Sequence, residues 1–192
     1  MKQTIKNLIA AYVGECQARA RYEYYGKIAM KEGYRKISEI FTQTATQEKS
    51  HAKRFFNHIQ DLKKENPELE IKIEMEPELK LGDTITNLEA AVFGENHEET
   101  ELYPKFAQIA KEEGLDEIAN RFEAIAIAER HHKERFEKLL NEVKNNSFFK
   151  KEEKVYWACL ECGYIHEGTN PPEKCPSCDH GSMHFELLSE NF

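Results

Sequence analysis

Apolar residues recur every three to four positions through most of the first 144 residues, with Ala, Glu, Lys and Phe between them and few glycines or prolines. That period is the signature of amphipathic helices that bury one face. Gly33 and Gly114 are natural helix stops. The spacing predicts four helices over residues 3–31, 35–64, 84–112 and 116–144. Between the second and third, residues 65–82 carry Pro67, Pro77 and an alternating Ile71/Ile73, the pattern of an extended crossover. Two tight connections and one long one make a four-helix bundle with a single long crossover. Pro104 falls inside the third helix, where a kink is expected.

The bundle repeats itself. Shifted by 81 residues, the second helix falls on the fourth: Gly33 on Gly114, Ile37 on Ile118, Phe41 on Phe122, Glu48 on Glu129, His51 on His132 and Phe55 on Phe136. Shared bundle patterning accounts for the apolar matches, but not for the Glu and His matches. Two helix pairs related by an approximate two-fold axis are expected.

After Lys144 the pattern changes. Asn145, Asn146 and Ser147 end the last helix, residues 147–154 form a charged linker, and residues 155–192 bring aromatics, prolines and four of the five cysteines. So short a segment cannot build an independent apolar core and needs a metal staple. The expected organisation is therefore a bundle over 1–146, a linker over 147–154 and a small β-rich metal module over 155–192.

Composition adds exclusions. With 40% apolar and 32% charged residues the chain has a globular balance. A net charge of -8 argues against nucleic acid, whose phosphates need a basic surface. The early apolar stretch Leu8–Val13 is too short for an export signal or a membrane span, so a cytoplasmic protein is expected. No Gly-x-Gly-x-x-Gly follows a strand, so nicotinamide is not expected to bind. In such a chain, clustered cysteines are metal ligands sooner than disulfides.

Glu48-x-x-His51 and Glu129-x-x-His132 each place a carboxylate and an imidazole on one helical face. Glu15 precedes Glu48 by 33 residues and Glu95 precedes Glu129 by 34, so each half supplies one further carboxylate at similar depth. Two Glu-x-x-His pairs plus two glutamates form the di-metal carboxylate pattern of helical bundles. Four buried carboxylates cannot all ionise without cations, and two divalent ions balance them. Oxygen-rich ligation with one imidazole per ion suits iron or manganese. Glu98 lies one turn after Glu95, opposite Ala18 in the repeat, so the site is expected to be asymmetric. A fifth carboxylate suits two ferric ions with a bridging hydroxide. Tyr22, two turns after Glu15, is placed to hydrogen-bond a ligand carboxylate. His97, His131 and Cys16 neighbour ligands in sequence but point elsewhere. His58, His166, His180 and His184 receive no role.

Cys159-x-x-Cys162 and Cys175-x-x-Cys178 form two knuckles of a tetrahedral thiolate site. Alone they fit a zinc ribbon as well as a single redox iron. Beside a di-iron bundle, an electron-carrying iron is the better reading, with zinc able to substitute.

The chain closely resembles the rubrerythrin family. The resemblance rests on Gly14-Glu15-Cys16-Gln17-Ala18-Arg19, Gly94-Glu95-Asn96-His97-Glu98, the two Glu-x-x-His pairs, Trp157-x-Cys159-x-x-Cys162-Gly163-Tyr164 and Cys175-Pro-x-Cys178. It covers essentially the whole chain. Cys16 stands where a small hydroxyl residue is expected.

The resemblance implies a ferritin-like bundle followed by a rubredoxin-like module. It makes Glu48 and Glu129 bridging ligands, Glu15 and Glu95 terminal ones, and His132 a ligand of the second iron. One iron is implied to exchange His51, when reduced, for Glu98, when oxidised. Tyr22 and Tyr103 match hydrogen-bonding tyrosines of the family. The implied activity is reduction of hydrogen peroxide to water in oxidative-stress defence. Electrons would come through the cysteine iron from an external donor such as rubredoxin or a reductase, NADH serving only through such partners. A head-to-tail homodimer is implied. The rival readings are a ferroxidase, a dioxygen-reducing oxidase and a non-enzymatic electron carrier.

Overall fold

A computed structural model describes residues 2–65, 67–68 and 70–189. Helix α1 (Lys2–Lys31) turns tightly into α2 (Arg35–Glu65), and the two pack along their length. Among its described residues the crossover runs without regular secondary structure to Asp83, whose carboxylate accepts the Thr86 N–H at 2.8 Å and caps α3 (Thr84–His97). After a π-helical turn (Glu98–Leu102), α4 (Tyr103–Glu112) continues the third rod. α5 (Asp116–Lys144) packs against both parts.

Gly33 (φ 86°) and Gly114 (φ 77°) take the left-handed conformation that closes a helix. The amide after each reaches back to a carbonyl five residues earlier, Tyr34 to Ala29 and Leu115 to Ala110, both at 2.8 Å. The halves also tether each other. Glu32 in the first turn accepts the Thr84 N–H at 2.9 Å, and its repeat counterpart Glu113 accepts the Gln3 and Thr4 N–H groups at 3.1 and 3.2 Å. Each carboxylate thus satisfies helix-start donors in the opposite half.

The expected interruption at Pro104 falls upstream of it. In the π turn the Tyr103 N–H bonds the Glu98 carbonyl, five residues back. Pro104 then falls in the first turn of α4, where a missing N–H is tolerated. The repeat explains why the turn sits there. Thr4/Thr84, Gly14/Gly94 and Glu15/Glu95 match at a shift of 80, whereas Tyr22/Tyr103 and Gly33/Gly114 match at 81. One extra residue has entered the second half between 98 and 103, and the wide turn absorbs it without rotating the rest of the helix.

The core has two apolar plugs. One gathers Ile5, Leu8, Phe55, Tyr103, Phe106 and Phe122; the other gathers Tyr22, Tyr25, Phe41, Leu88, Phe136 and Leu139. Between them lies a layer of buried Glu15, Glu48, Glu95, Glu129 and His132.

The last segment folds into a three-stranded antiparallel sheet in the order β2 (Ile165–Gly168), β1 (Val155–Cys159), β3 (Phe185–Leu187). Trp157 and Phe185 bury with Cys159 and Cys175. The module rests against the α1–α2 end of its own bundle through Lys36–Glu186 (2.5 Å) and an Arg35–Glu161 ion pair. No helix among the described residues is long and apolar enough to cross a membrane.

Candidate metal centres

Glu15, Glu48, Glu95 and Glu129 come from α1, α2, α3 and α5, and their side chains are at most 2% exposed. Their ligand atoms gather in two overlapping sets, each within 4.8 Å: Glu15, Glu48, His51 and Glu129 in one, Glu48, Glu95, Glu129 and His132 in the other. Glu48 and Glu129 belong to both. His51 Nδ1 is 3.0 Å from both Glu48 Oε2 and Glu129 Oε1, and 3.6 Å from Glu15 Oε2. His132 Nδ1 is 2.8 Å from Glu129 Oε2, 3.1 Å from Glu48 Oε1 and 3.5 Å from Glu95 Oε2. The two imidazoles lie 5.9 Å apart at 26°.

These atoms converge without hydrogen-bonding one another. Both oxygens of Glu48 and of Glu129, Glu95 Oε2, and Nδ1 of His51 and His132 are buried with no hydrogen-bond partner. Orphaned buried acceptors are expensive. A cluster of them aimed at two shared points is what two cations, each taking one nitrogen and several oxygens, would satisfy. The donor set fits a pair of iron ions.

Glu95 Oε1 and Glu15 Oε1 are held from the opposite half. Tyr22 Oη donates to Glu95 Oε1 at 2.5 Å, and Tyr103 Oη donates to Glu15 Oε1. Tyr22 therefore serves the ligand across the two-fold axis, not Glu15 on its own helix. Both phenols are pushed well above their usual range, by burial first and then by the adjoining carboxylates. They stay protonated donors and fix which oxygen of each glutamate faces inward.

Glu98 belongs to neither set. It begins the π turn, is half-buried, and lines a cavity of about 290 Å³ with Gly14, Met75, Phe93, Gly94 and Leu102. A Cβ on Gly14 would come within 3.8 Å of its Oε1. Burial, then Glu15 and Glu95, push its carboxyl well above the ordinary range. His97 and His131 are exposed; Cys16 is also exposed, in a cleft with Tyr12 and Phe56.

In the module, Cys159 Sγ lies 3.7 Å from Cys178 Sγ, and Cys162 Sγ 3.7 Å from Cys175 Sγ. Those separations are far from disulfide bonding. They match the edge of about 3.8 Å of a tetrahedron with 2.3 Å metal–sulfur bonds. The two knuckles share one backbone design. Gly163 N–H bonds Cys159 O at 2.9 Å and Asp179 N–H bonds Cys175 O at 2.9 Å, with Gly163 (φ 74°) and Asp179 (φ 63°) both left-handed.

Comparison with known proteins gives the same two centres. The rubrerythrin profile matches residues 6–140 and the rubredoxin-like domain of rubrerythrin matches residues 157–186. Rubrerythrin of Nitratidesulfovibrio vulgaris is 47% identical over 99% of this chain and 96% of its own length; rubrerythrin-1 of Clostridium acetobutylicum is 45% identical with the same coverage. Among solved structures, the fully reduced, all-ferrous state of nigerythrin superposes with a TM-score of 0.63 at 30% identity, covering 96% of this chain and 86% of that one. With a di-iron Glu/His cluster in a ferritin-like bundle and a four-cysteine rubredoxin-like site in one continuous match, the chain belongs to the rubrerythrin family.

Proposed function

We propose that the protein is a peroxidase that reduces hydrogen peroxide to water, with electrons delivered through the cysteine-bound iron. In this reading the bundle of residues 1–146 is the reaction centre and residues 155–192, joined by 147–154, are its electron port. The observation that carries it is the pairing, in one chain, of a buried two-ion donor set with a four-thiolate centre. A ferroxidase has no obvious use for the second.

A ferrous pair, when bound, would supply the two electrons that peroxide reduction needs. The chain's residues do the rest. Glu48 and Glu129, common to both sets, would be shared by the two ions, while Glu15 and Glu95 would each serve one. His51 and His132 each give Nδ1. Tyr22 and Tyr103 hold the outer oxygens of Glu95 and Glu15, so these carboxylates keep their aim as charge changes. Glu98 stands beside the cluster at the cavity and would be the carboxylate able to hold an oxidised pair in place of His51. The two apolar plugs exclude water from the ends of the site.

The port lies well along α2 from its own reaction centre. Glu161, in the first cysteine knuckle, pairs with Arg35, and Glu48 lies thirteen residues along α2, about 20 Å by helix rise. Electron tunnelling falls off steeply with distance, so a second chain, head to tail, is the better acceptor. A homodimer fed by an external rubredoxin-type or reductase donor follows.

The test is anaerobic mixing. The iron-loaded protein is fully reduced, one equivalent of peroxide or of dioxygen is added, and the return of colour at the cysteine-bound iron is followed. Fast return with peroxide and slow return with dioxygen supports the reading. Fast return with dioxygen alone makes it an oxidase. Oxidation of the bundle without colour return makes it a ferroxidase.

A further inference from the structure

A second group of ligands lies beside the sulfurs of the module. Glu161 sits inside the first knuckle, His180 follows Cys178, and His184 ends the short 3-10 turn Ser182–His184. One ligand atom from each lies within 4.8 Å of the other two. The imidazole centroids are 4.7 Å apart, and His184 Nδ1 is 3.1 Å from Glu161 Oε1.

Hydrogen bonding sets both imidazoles in the form that a metal requires. His180 Nδ1 is 3.3 Å from Cys178 Sγ. A metal-bound thiolate has no proton to give, so His180 carries its proton on Nδ1 and keeps the Nε2 lone pair free. His184 Nδ1 is 2.7 Å from Arg35 Nη1. A guanidinium only donates, so His184 Nδ1 accepts from Arg35, and its 3.1 Å approach to Glu161 Oε1 is a contact drawn together by the same guanidinium and not a hydrogen bond. Arg35 also pairs with Glu161. The three ligands therefore already close around a positive charge, contributed by the first residue of α2. Two imidazole nitrogens and one carboxylate suit a borderline divalent ion such as zinc or nickel, not calcium or magnesium.

We propose that Glu161, His180 and His184 form a third metal site, for a nickel- or zinc-like divalent ion that enters by displacing Arg35. The exchange has two effects. It removes one of the two ion pairs that hold the module on its own bundle, leaving Lys36–Glu186. It also puts positive charge next to Cys178 through His180, whose Nδ1–H becomes a stronger donor to the sulfur once Nε2 is metal-bound.

The probe is nickel(II), added to the full chain with iron in all its sites. Calorimetry counts the ions, and the visible absorption of the ferric thiolate centre reports on Cys178. One equivalent beyond the iron is expected, with a saturable shift of the visible band. His184→Ala should weaken uptake at least about tenfold, as loss of one ligand in three. His180→Ala should remove the band shift. Arg35→Ala should tighten uptake by about tenfold, because a competing like charge is gone. A ferric thiolate band of full intensity before nickel, whatever its exact position, shows that each variant has folded its module. The proposal is overturned if no extra equivalent binds, if His184→Ala binds as the natural chain does, or if nickel binds only after Arg35 is removed.

Discussion

Loading the bundle with iron should expel protons in a number that the site itself dictates. Without metal, the buried layer must neutralise itself. Burial alone would deprotonate the two imidazoles, but Glu129 and its neighbouring carboxylates override it, holding His132 up to about 12 and His51 higher still. Burial, with the surrounding carboxylates, raises Glu95 to about 8 and Glu15 well above its ordinary range. Glu48, between the two imidazoles, is held down at about 2 against its own burial. At pH 7 His51, His132 and Glu95 therefore carry protons that must leave when two ions bind, and the raised Glu15 carboxyl adds to that number, so at least about three protons are released per pair of ions. The overall two-ion association constant should then climb by at least about three decades per pH unit near neutrality, the slope easing above pH 8 as Glu95 ionises by itself. The assay adds two equivalents of ferrous iron, anaerobically, to protein whose cysteine site is already filled, so that no thiol contributes. Proton release is read with an indicator dye in weak buffer, and by calorimetry in two buffers of different ionisation enthalpy. Release of two protons or fewer would mean that Glu15 and Glu95 are ionised before metal arrives, and would refute the electrostatic account of the layer.

The tyrosines, the core and a surface pair give further tests. Tyr103→Phe leaves Glu15 Oε1 without its buried donor and should weaken iron retention in the bundle by about ten- to a hundredfold, measured by chelator competition, with the cysteine iron unaffected. Phe41→Ala empties a fully buried position between Tyr22, Tyr25 and Phe136 and should cost about 3–5 kcal/mol, lowering Tm by about 6–20 °C in a calorimetric scan of the metal-loaded protein. Glu99 of the π turn is held below the usual carboxylate range by Lys133 and Arg130 of α5. A depressed folded value gives stability that is full above the unfolded pKa and is lost as pH falls through the folded one. The urea midpoint of Glu99→Gln should thus trail the natural chain most at pH 7, and the gap should close in acid; a gap that is flat with pH would show that the pair contributes nothing.

Patterns repeated along the chain are the ones that sequence carries. Helical periodicity, the stops at Gly33 and Gly114 and the crossover before Asp83 are written locally, and the helix limits differ from the structure by a residue or so. The di-iron and cysteine centres follow from spacing, because ligands three apart on a helix or knuckle must face one way. Contacts between halves leave no such trace. Tyr22 stands in line with Glu15, yet its oxygen reaches Glu95, since side chains at the bundle axis meet across it more readily than along it. Only family resemblance singled out Tyr103. The tethers of Glu32 and Glu113 look like ordinary surface glutamates until the opposite helix start is in place. His180 and His184 carry no motif, and what joins them to Glu161 is the knuckle fold and a guanidinium from another element. The change of repeat shift from 80 to 81 was present in the sequence as a signal, but one residue reads as noise without the turn that takes it up.

The position just ahead of that residue breaks the symmetry of the centre. A perfectly duplicated bundle would hold two interchangeable ions, and neither peroxide nor an incoming electron could tell one from the other. The extra residue leaves Glu15 and Glu95, and Tyr22 and Tyr103, in matching places, so the scaffold stays balanced. Glu98, at the first position of the turn and ahead of the extra residue, is a carboxylate where the other half has only the methyl of Ala18. The two halves of the buried layer therefore face different surroundings. A symmetric frame thus holds an unsymmetric centre, and the difference is written in one turn of one helix.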